Sequence, residues 1–128
     1  MNKRVIPSHA KRTYERAHYA PAVWDGETLR CSGSLGIDPK THKVPDDPKA
    51  QFAHAFQGIE LVLKEAGLQL SDITEMTSFH VDMSKHMGVF AAVKDDFLKE
   101  PYPAWSAIGV SELAMGALVE IRVNARKQ

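Results

Sequence analysis

The segment at residues 117–125 alternates apolar and polar side chains with a period of two, which is typical of a β-strand with one buried face. Val119, Ile121 and Val123 form its apolar register, and Glu120 lies in its polar register. We expect the strand that follows Pro103 and contains Trp105 to pair with it. That pairing would place the Glu120 carboxylate opposite an aromatic ring.

Four further strands are predicted upstream. Residues 13–19 and 22–24 form short strands, and the turn at Asp25 and Gly26 closes a hairpin because glycine tolerates positive φ. Residues 29–37 form the next strand, which ends in a polar loop containing proline. Residues 73–82 alternate with a period of two and predict another strand.

Two amphipathic helices separate these strands. The first begins with Asp47 as its N-cap and Pro48 at its first position, and Gly67 marks its end. The second begins near Ser84 and ends before Pro101. The apolar positions at helical spacing are Phe52, Phe56, Ile59, Leu63 and Ala66 in the first helix and Met87, Phe90, Val93 and Phe97 in the second.

The resulting order β-β-β-α-β-α-β-β predicts an α+β fold with a mixed β-sheet and two helices packed on one face. A length of 128 residues predicts one domain over residues 1–128. The second face of the sheet then has no cover. If that face is apolar, identical subunits are expected to associate through it in a closed ring.

Composition narrows the possible partners and the compartment. Sixteen basic and sixteen acidic residues give a formal net charge of zero, so no global field favours nucleic acid or an anionic membrane. No apolar run approaches the roughly 20 residues of a membrane span. The single Cys31 excludes an intramolecular disulfide and fits a reducing compartment, so we expect a cytoplasmic protein.

Glu120 has two possible roles on the residues alone. It shares its register with Arg122 and Arg126, which is typical of a salt-bridged outer face. Alternatively, it is a carboxylate held in a cleft, where desolvation would suit it to orient or deprotonate water. Spacing does not separate these two roles.

Metal and thiol chemistry find little support. His80, Asp82 and His86 carry ligand atoms, but they straddle a strand end and a helix start and need not converge, so we expect no metal. Cys31 lies inside a predicted strand without a nearby histidine in sequence, which favours a buried, inert thiol over a nucleophile.

Several motifs in order and spacing resemble the RidA/YjgF family, also labelled endoribonuclease L-PSP, over about residues 14–126. The resemblance is carried by Tyr19 with Ala22, Ser32-Gly33-Ser34, Ile37-Asp38-Pro39, Gln51, Leu63 with Ala66-Gly67, and Val119-Glu120-Ile121. It implies a homotrimer with three clefts between subunits. In that family the clefts hydrolyse reactive enamines and imines to 2-oxo acids and ammonia without a cofactor.

One position departs from the family pattern. The family stretch Pro-Ala-Arg-Ser uses its arginine to grip the substrate carboxylate, whereas this chain has Pro103-Ala104-Trp105-Ser106. An indole leaves a buried carboxylate unpaired, so deamination of simple 2-imino acids is expected to be lost or very weak. This stretch resembles the YjgH-like branch of the family, whose members also lack the arginine.

The resemblance implies a site in which Glu120 places a water molecule. Trp105 and Tyr19 would line its apolar walls, and Ser32, Gly33 and Ser34 would anchor a polar group of a small metabolite. Three cations are candidates to replace the lost arginine: Lys94, Arg16 and Arg122. For Lys94 we expect a solvated side chain.

Three functions are compatible with these residues. The first is a hydrolase or deaminase-like protein that does not act on simple 2-imino acids. The second is an enamine or imine deaminase with a substitute arginine, and the third is a non-catalytic ligand-binding or chaperone-like trimer. Ribonuclease action is the weakest alternative because the chain lacks a basic stripe and paired catalytic histidines.

Overall fold

The computed structural model describes residues 3–128. Its strands are β1 Arg4–Val5, β2 Ala22–Asp25, β3 Thr28–Cys31, β4 Ser34–Leu35, β5 Ile73–His80, β6 Ala104–Gly109 and β7 Val119–Arg126. Its α-helices are α1 Lys11–Ala17, α2 Pro48–Glu65 and α3 Met83–Phe97. From β2 onward the order is β-β-β-α-β-α-β-β, which has the predicted sequence of element types, although the first three strands are not the three segments that were predicted.

All seven strands form one mixed sheet. The spatial order is β1-β2-β3-β7-β5-β6, and β4 pairs with β7 beyond the end of β3. Strands β5 and β6 are parallel, whereas every other pair is antiparallel. The strand that comes last in the chain therefore lies in the centre of the sheet, and β6 lies at one edge.

Helix α2 begins and ends as its sequence predicts. The Asp47 carboxylate accepts a hydrogen bond from the Ala50 amide at 3.0 Å, and Gly67 follows the helix with φ of +79°. Gln51, whose side chain is buried, accepts a bond from the Leu118 amide at 2.6 Å and donates to the Pro45 carbonyl at 3.1 Å. This side chain joins the start of α2 to the segment that enters β7.

Helices α2 and α3 pack side by side on one face of the sheet. The Phe90 ring of α3 lies 5.6 Å from Phe52 and 5.7 Å from Phe56 of α2, and all three rings are fully buried. The buried register of β7 faces these helices. The α+β class, with a mixed sheet and two helices on one face, is confirmed.

Two predictions about the first third of the chain were wrong. Residues 13–19, expected as a strand, instead contribute to the short helix α1, none of whose residues is buried; His18 ends it with φ of 63°. Because none of these residues packs against a buried surface, the β-branched and aromatic side chains among them do not favour a strand.

The segment 29–37, expected as one strand, is divided into β3 and β4. Arg30 pairs with Asn124 and Ser34 pairs with Ile121, so four steps along one strand match three steps along the other. The extra residue forms an irregularity at Ser32 and Gly33.

The predicted partner of the Glu120 strand was also wrong. Strand β7 pairs with β3, β4 and β5, and β6 pairs only with β5. Phe79 of β5, not Trp105, lies opposite Glu120. The sequence pattern shows which segments are strands, but it does not show their order in the sheet.

No helix within residues 3–128 combines the length and the apolar character needed to cross a membrane.

Candidate functional site

Glu120 lies on the face of the sheet opposite the helices, within a row of apolar side chains. Its cross-strand neighbours are Leu35 of β4 and Phe79 of β5, and Phe79 is in turn in register with Ile108 of β6. Leu35, Phe79 and Glu120 are half-buried, and Ile108 is exposed. The row therefore places one carboxylate between apolar groups on the open face.

The Glu120 side chain also packs against Gly33. A Cβ atom on Gly33 would lie 2.6 Å from Glu120 Cδ and 2.8 Å from Cγ, which is closer than such atoms approach. Glycine is thus the residue that leaves room for the carboxylate. Within residues 3–128, the Glu120 carboxylate takes part in no hydrogen bond or ion pair. Arg126 of the same register pairs with Glu27, so the outer face does contain a salt bridge, but Glu120 is not part of one.

Ser32, which directly precedes Gly33, holds the segment that follows Tyr19. The Ser32 hydroxyl donates to the Ala20 carbonyl at 2.6 Å, and the Ser32 amide donates to the Pro21 carbonyl at 2.8 Å. These two bonds hold the segment that follows Tyr19 against the β3–β4 irregularity. Tyr19 is half exposed, at 50%.

Ser34 points to the other face of the sheet. It is in register with the buried Ile121, and its hydroxyl donates to the Ala55 carbonyl of α2 at 2.8 Å. Its role in this structure is to join β4 to the helix layer. Of the three residues 32–34, Gly33 is the one that contacts Glu120.

Trp105 lies on the helix-covered face, opposite to Glu120. It is in register with Met76, and Met76 is in register with Val123; both partners are buried beneath the helices. The indole is 6.1 Å from the Phe90 ring and remains 40% exposed because β6 is the edge strand. Within one subunit, the carboxylate and the indole therefore cannot meet across the sheet.

A buried pair of polar side chains fixes the indole. Trp105 Nε1 donates to the Ser78 hydroxyl at 2.8 Å, and Ser78 Oγ lies 2.7 Å from His80 Nε2. Ser78 and His80 are both fully buried. Burial lowers the pKa of His80, because the charged imidazole would be desolvated beside the Phe90 ring at 4.7 Å.

The Lys94 side chain lies over this indole. Its Nζ is 5.0 Å from the centre of the Trp105 ring, and only 16% of its side chain is exposed. The expectation of a solvated Lys94 was therefore wrong. Helical spacing offered a signal, since Lys94 lies four residues after the buried Phe90 and so shares its face.

The other two candidate cations lie elsewhere. Arg16 is an exposed residue of α1, and Arg122 is exposed on the open face two residues after Glu120. Only Lys94 lies beside Trp105. Sequence reasoning missed Ser78, because its alternating segment did not show which register faces the core.

One depression lies beside the candidate site residues, and a second lies away from them. The smaller, of about 110 Å³, lies between the end of α3 and the start of β6 and is lined in part by Trp105 and Lys94. The larger, of about 370 Å³, lies between the residues before α1 and the outer side of α2, and no candidate site residue lines it.

No three histidine, cysteine, aspartate or glutamate side chains within residues 3–128 are grouped as metal ligands. Cys31 is buried, and this burial raises the pKa of its thiol to about 12, so the nucleophilic thiolate is not formed at neutral pH.

The geometry thus defines two candidate half-sites on opposite faces of one sheet. One contains Glu120 and Gly33, and the other contains Trp105 and Lys94. This strand order, with α2 and α3 on one face of the sheet and a carboxylate on the other, defines a class of small α+β proteins.

Comparison with known proteins identifies that class. The family model described as Endoribonuclease L-PSP matches residues 9–127. The RutC family protein YjgH of Escherichia coli is 35% identical over 123 residues, covering 95% of this chain and 92% of its own. A solved structure of protein YJGH superposes with a TM-score of 0.87 at 32% identity, covering 99% of this chain and 98% of its own.

A third relative has a name that states an activity. The 2-iminobutanoate/2-iminopropanoate deaminase of Dermatophagoides farinae is 31% identical over 107 residues, covering 80% of each chain. The protein belongs to the RidA/YjgF family.

Proposed function

We propose that the protein is a cytoplasmic homotrimer that binds a small metabolite in a cleft between subunits. It acts there as a cofactor-free hydrolase of the deaminase type on a substrate other than a simple 2-imino acid. The observation that carries this proposal is Glu120, a half-buried carboxylate without a hydrogen bond or ion pair in residues 3–128 of its own subunit. Such a group is suited to hold or activate a water molecule.

The positions of the two half-sites support a cleft between subunits. Glu120 and Trp105 lie on opposite faces of one sheet, so a single site that contains both must take them from two copies of the chain. Tyr19 and Gly33 would accompany Glu120, and Lys94 would accompany Trp105.

The unpaired edge of the sheet supports self-association. All six residues of β6 are exposed, including Trp105 and Ile108, and the open face carries an apolar row. An exposed edge strand is a hazard that proteins usually cover. Light scattering at micromolar concentration should give three times the subunit mass, and a monomer would remove the cleft from the proposal.

The proposed cytoplasmic location rests on Cys31, and the proposed substrate class rests on Trp105. A buried free thiol at Cys31 suits a reducing compartment. The Trp105 indole supplies an apolar wall where a guanidinium would be needed for bidentate binding of a small carboxylate.

The first test uses freshly generated 2-iminopropionate and its branched-chain analogues, with the residual imine trapped over time. We expect no acceleration over buffer for these simple substrates. The same assay with imines that carry an aromatic or uncharged body should identify a substrate, and Glu120→Gln should then abolish turnover while ligand binding is retained.

A matched control variant is Glu75→Gln, which removes a carboxylate from the same sheet. Glu75 accepts a hydrogen bond from Asn124 at 2.9 Å and is exposed. Turnover should be unchanged by this substitution. If Glu120→Gln also leaves turnover unchanged, Glu120 is not part of the mechanism.

A second candidate function is the deamination of 2-imino acids with a substitute cation. The Dermatophagoides farinae relative, named as a deaminase of this type, favours it. Lys94 lies beside Trp105 and would replace the arginine, whereas Arg16 and Arg122 lie away from Trp105. Rapid loss of 2-iminopropionate that depends on Lys94 would decide for this function. Saturable binding without product would favour a non-catalytic binding protein.

A further inference from the structure

A small cavity of about 110 Å³ opens where the end of α3 meets the start of β6. Its lining is more apolar than polar, and it carries one cationic group. The lining residues are Met76, Lys94, Leu98, Tyr102, Pro103 and Trp105. A cavity of this kind favours a ligand with an apolar body and one charged group.

The charge belongs to Lys94. Its ammonium group lies 5.0 Å from the centre of the Trp105 ring, and its side chain is 16% exposed. An ammonium has three N–H donors, and within residues 3–128 Lys94 uses one of them, in a bond to Asp95 Oδ1 at 2.9 Å. Two donors are left for a ligand.

The contact with Asp95 does not cancel this charge. The Asp95 side chain is 70% exposed, and water competes strongly with an ion pair of that kind. A ligand carboxylate that entered the cavity could therefore replace Asp95 as the partner of Lys94. The apolar part of the cavity lining would then shield the ligand carboxylate from water, and this shielding strengthens its attraction to Lys94.

The opposite wall of the cavity is rigid. Trp105 Nε1 donates to Ser78, which is fully buried and also bonds His80, so the indole cannot rotate without breaking a buried hydrogen bond. A preorganised aromatic wall lowers the entropy cost of binding a flat ligand. Tyr102 and Pro103 continue this surface at the cavity mouth.

We propose that this cavity binds a small carboxylate with a planar, apolar body, in which Lys94 contacts the carboxylate and Trp105 contacts the body. Lys94 supplies one positive charge, which matches the single negative charge of a carboxylate, whereas a phosphate monoester carries about −1.5 to −2 at pH 7. The proposal deepens the proposed function, on which it rests, because Trp105 belongs to both. It makes Lys94 the residue that determines the charge of the ligand.

The test uses the intrinsic fluorescence of Trp105. The chain contains two tryptophans, and Trp24→Phe leaves Trp105 as the only one. Phenylacetate is titrated into this variant, and its neutral isostere phenylacetamide is titrated in parallel. We expect a saturable change with phenylacetate and a dissociation constant at least about tenfold larger for the amide, since a hydrogen bond to a charged group contributes on that order.

Variants at one position then separate charge from packing. Lys94→Met keeps an apolar stem and should weaken phenylacetate binding by about 10- to 100-fold. Lys94→Arg keeps the charge and should retain binding. The matched control is Lys99→Met, because Lys99 is exposed near the end of the same helix and bonds the Asp95 carbonyl. Binding in that variant should be unchanged.

Three outcomes would overturn the inference: equal affinity for the acid and the amide, no effect of Lys94→Met in a folded variant, or no binding of either probe. None of these depends on Glu120, because Glu120→Gln is expected to bind phenylacetate normally. A failure of the proposed hydrolysis would leave phenylacetate binding intact, so the two failures are distinguishable.

Discussion

Gly33 and Glu120 are in van der Waals contact across the irregularity between β3 and β4, and a Cβ atom at Gly33 would overlap the Glu120 side chain, with Cδ at 2.6 Å. The carboxylate thus occupies the space that an ordinary residue at position 33 would fill. The two positions are coupled, and each can be used to test the other.

Gly33→Ala should therefore destabilise the protein by about 1–3 kcal/mol, which is typical of overpacking. The same substitution in a Glu120→Ala background should cost close to nothing, because the obstacle has been removed. Urea unfolding of the four proteins in this cycle measures the coupling. Additive effects would show that the carboxylate does not occupy this space.

A matched control for that cycle is Gly88→Ala, in the middle of α3. Apart from its chain neighbours and the backbone of its own helix, no atom lies within 4 Å of a Cβ at this position, so the substitution meets open space. We expect a gain of up to about 1 kcal/mol, because alanine has the higher helix propensity. A loss at Gly88 comparable to that at Gly33 would mean that the Gly33 result reflects a general cost of adding a methyl group.

Ser78→Ala should destabilise the protein by about 1–3 kcal/mol, since it leaves both Trp105 Nε1 and His80 Nε2 without their partner in a buried place. Denaturant unfolding measures this loss, and near-ultraviolet circular dichroism should show a more mobile indole. Ser106→Ala, at an exposed position of β6, should change the free energy of unfolding by less than about 0.5 kcal/mol. Equal effects at the two positions would contradict the role given to Ser78.

The stability should fall in weak acid because of His80. Burial lowers the pKa of His80 in the folded chain below its ordinary value of 6.5. As the pH falls below 6.5, the unfolded chain binds a proton that the folded chain does not, so the free energy of unfolding decreases by up to about 1.4 kcal/mol per pH unit. The decrease stops once the pH falls below the lowered pKa.

His80→Gln should remove this pH dependence from unfolding curves recorded between pH 4 and pH 7, after the contribution of the carboxylates is subtracted. His42→Gln is the control, because His42 is exposed. A slope that persists unchanged in His80→Gln would assign the acid sensitivity to other groups.

Cys31 should resist modification while the protein is folded. The pKa of its thiol is raised to about 12 by burial, and only the thiolate reacts. Labelling with an aromatic disulfide reagent at pH 8 should be slow in native protein and rapid in denaturant. Because the chain contains a single cysteine, the labelling stoichiometry reports on Cys31 alone. Rapid labelling of the native protein would contradict the burial of this thiol.

Elements with a local physical cause were predictable from the sequence. The Asp47 cap, the apolar stripe of α2 and the alternation of β7 all depend on neighbours within a few residues, and each is confirmed. The family matches also depend on local motifs, and they gave the fold class correctly. The catalytic and binding roles of the site residues stay predictions.

Other features depend on contacts between distant parts of the chain. The order of strands separates Trp105 from Glu120, and no local pattern contains that order. The register of β5 that faces the helices contains two polar residues, Ser78 and His80. They are tolerated in this buried place because the Ser78 hydroxyl and the His80 ring are hydrogen-bonded to each other. Lys94 was misjudged because its environment is formed by Trp105, eleven positions later in the chain.

The central position of β7 has a consequence during protein synthesis. Strands β1, β2 and β3 on one side and β5 and β6 on the other are joined only through this strand, which leaves the ribosome after all of them. Until residue 126 has emerged, the nascent chain lacks the strand that joins the two parts of the sheet. Any strand pairs formed before then would have open edges, so chaperones that shield such edges would act on this protein late in translation.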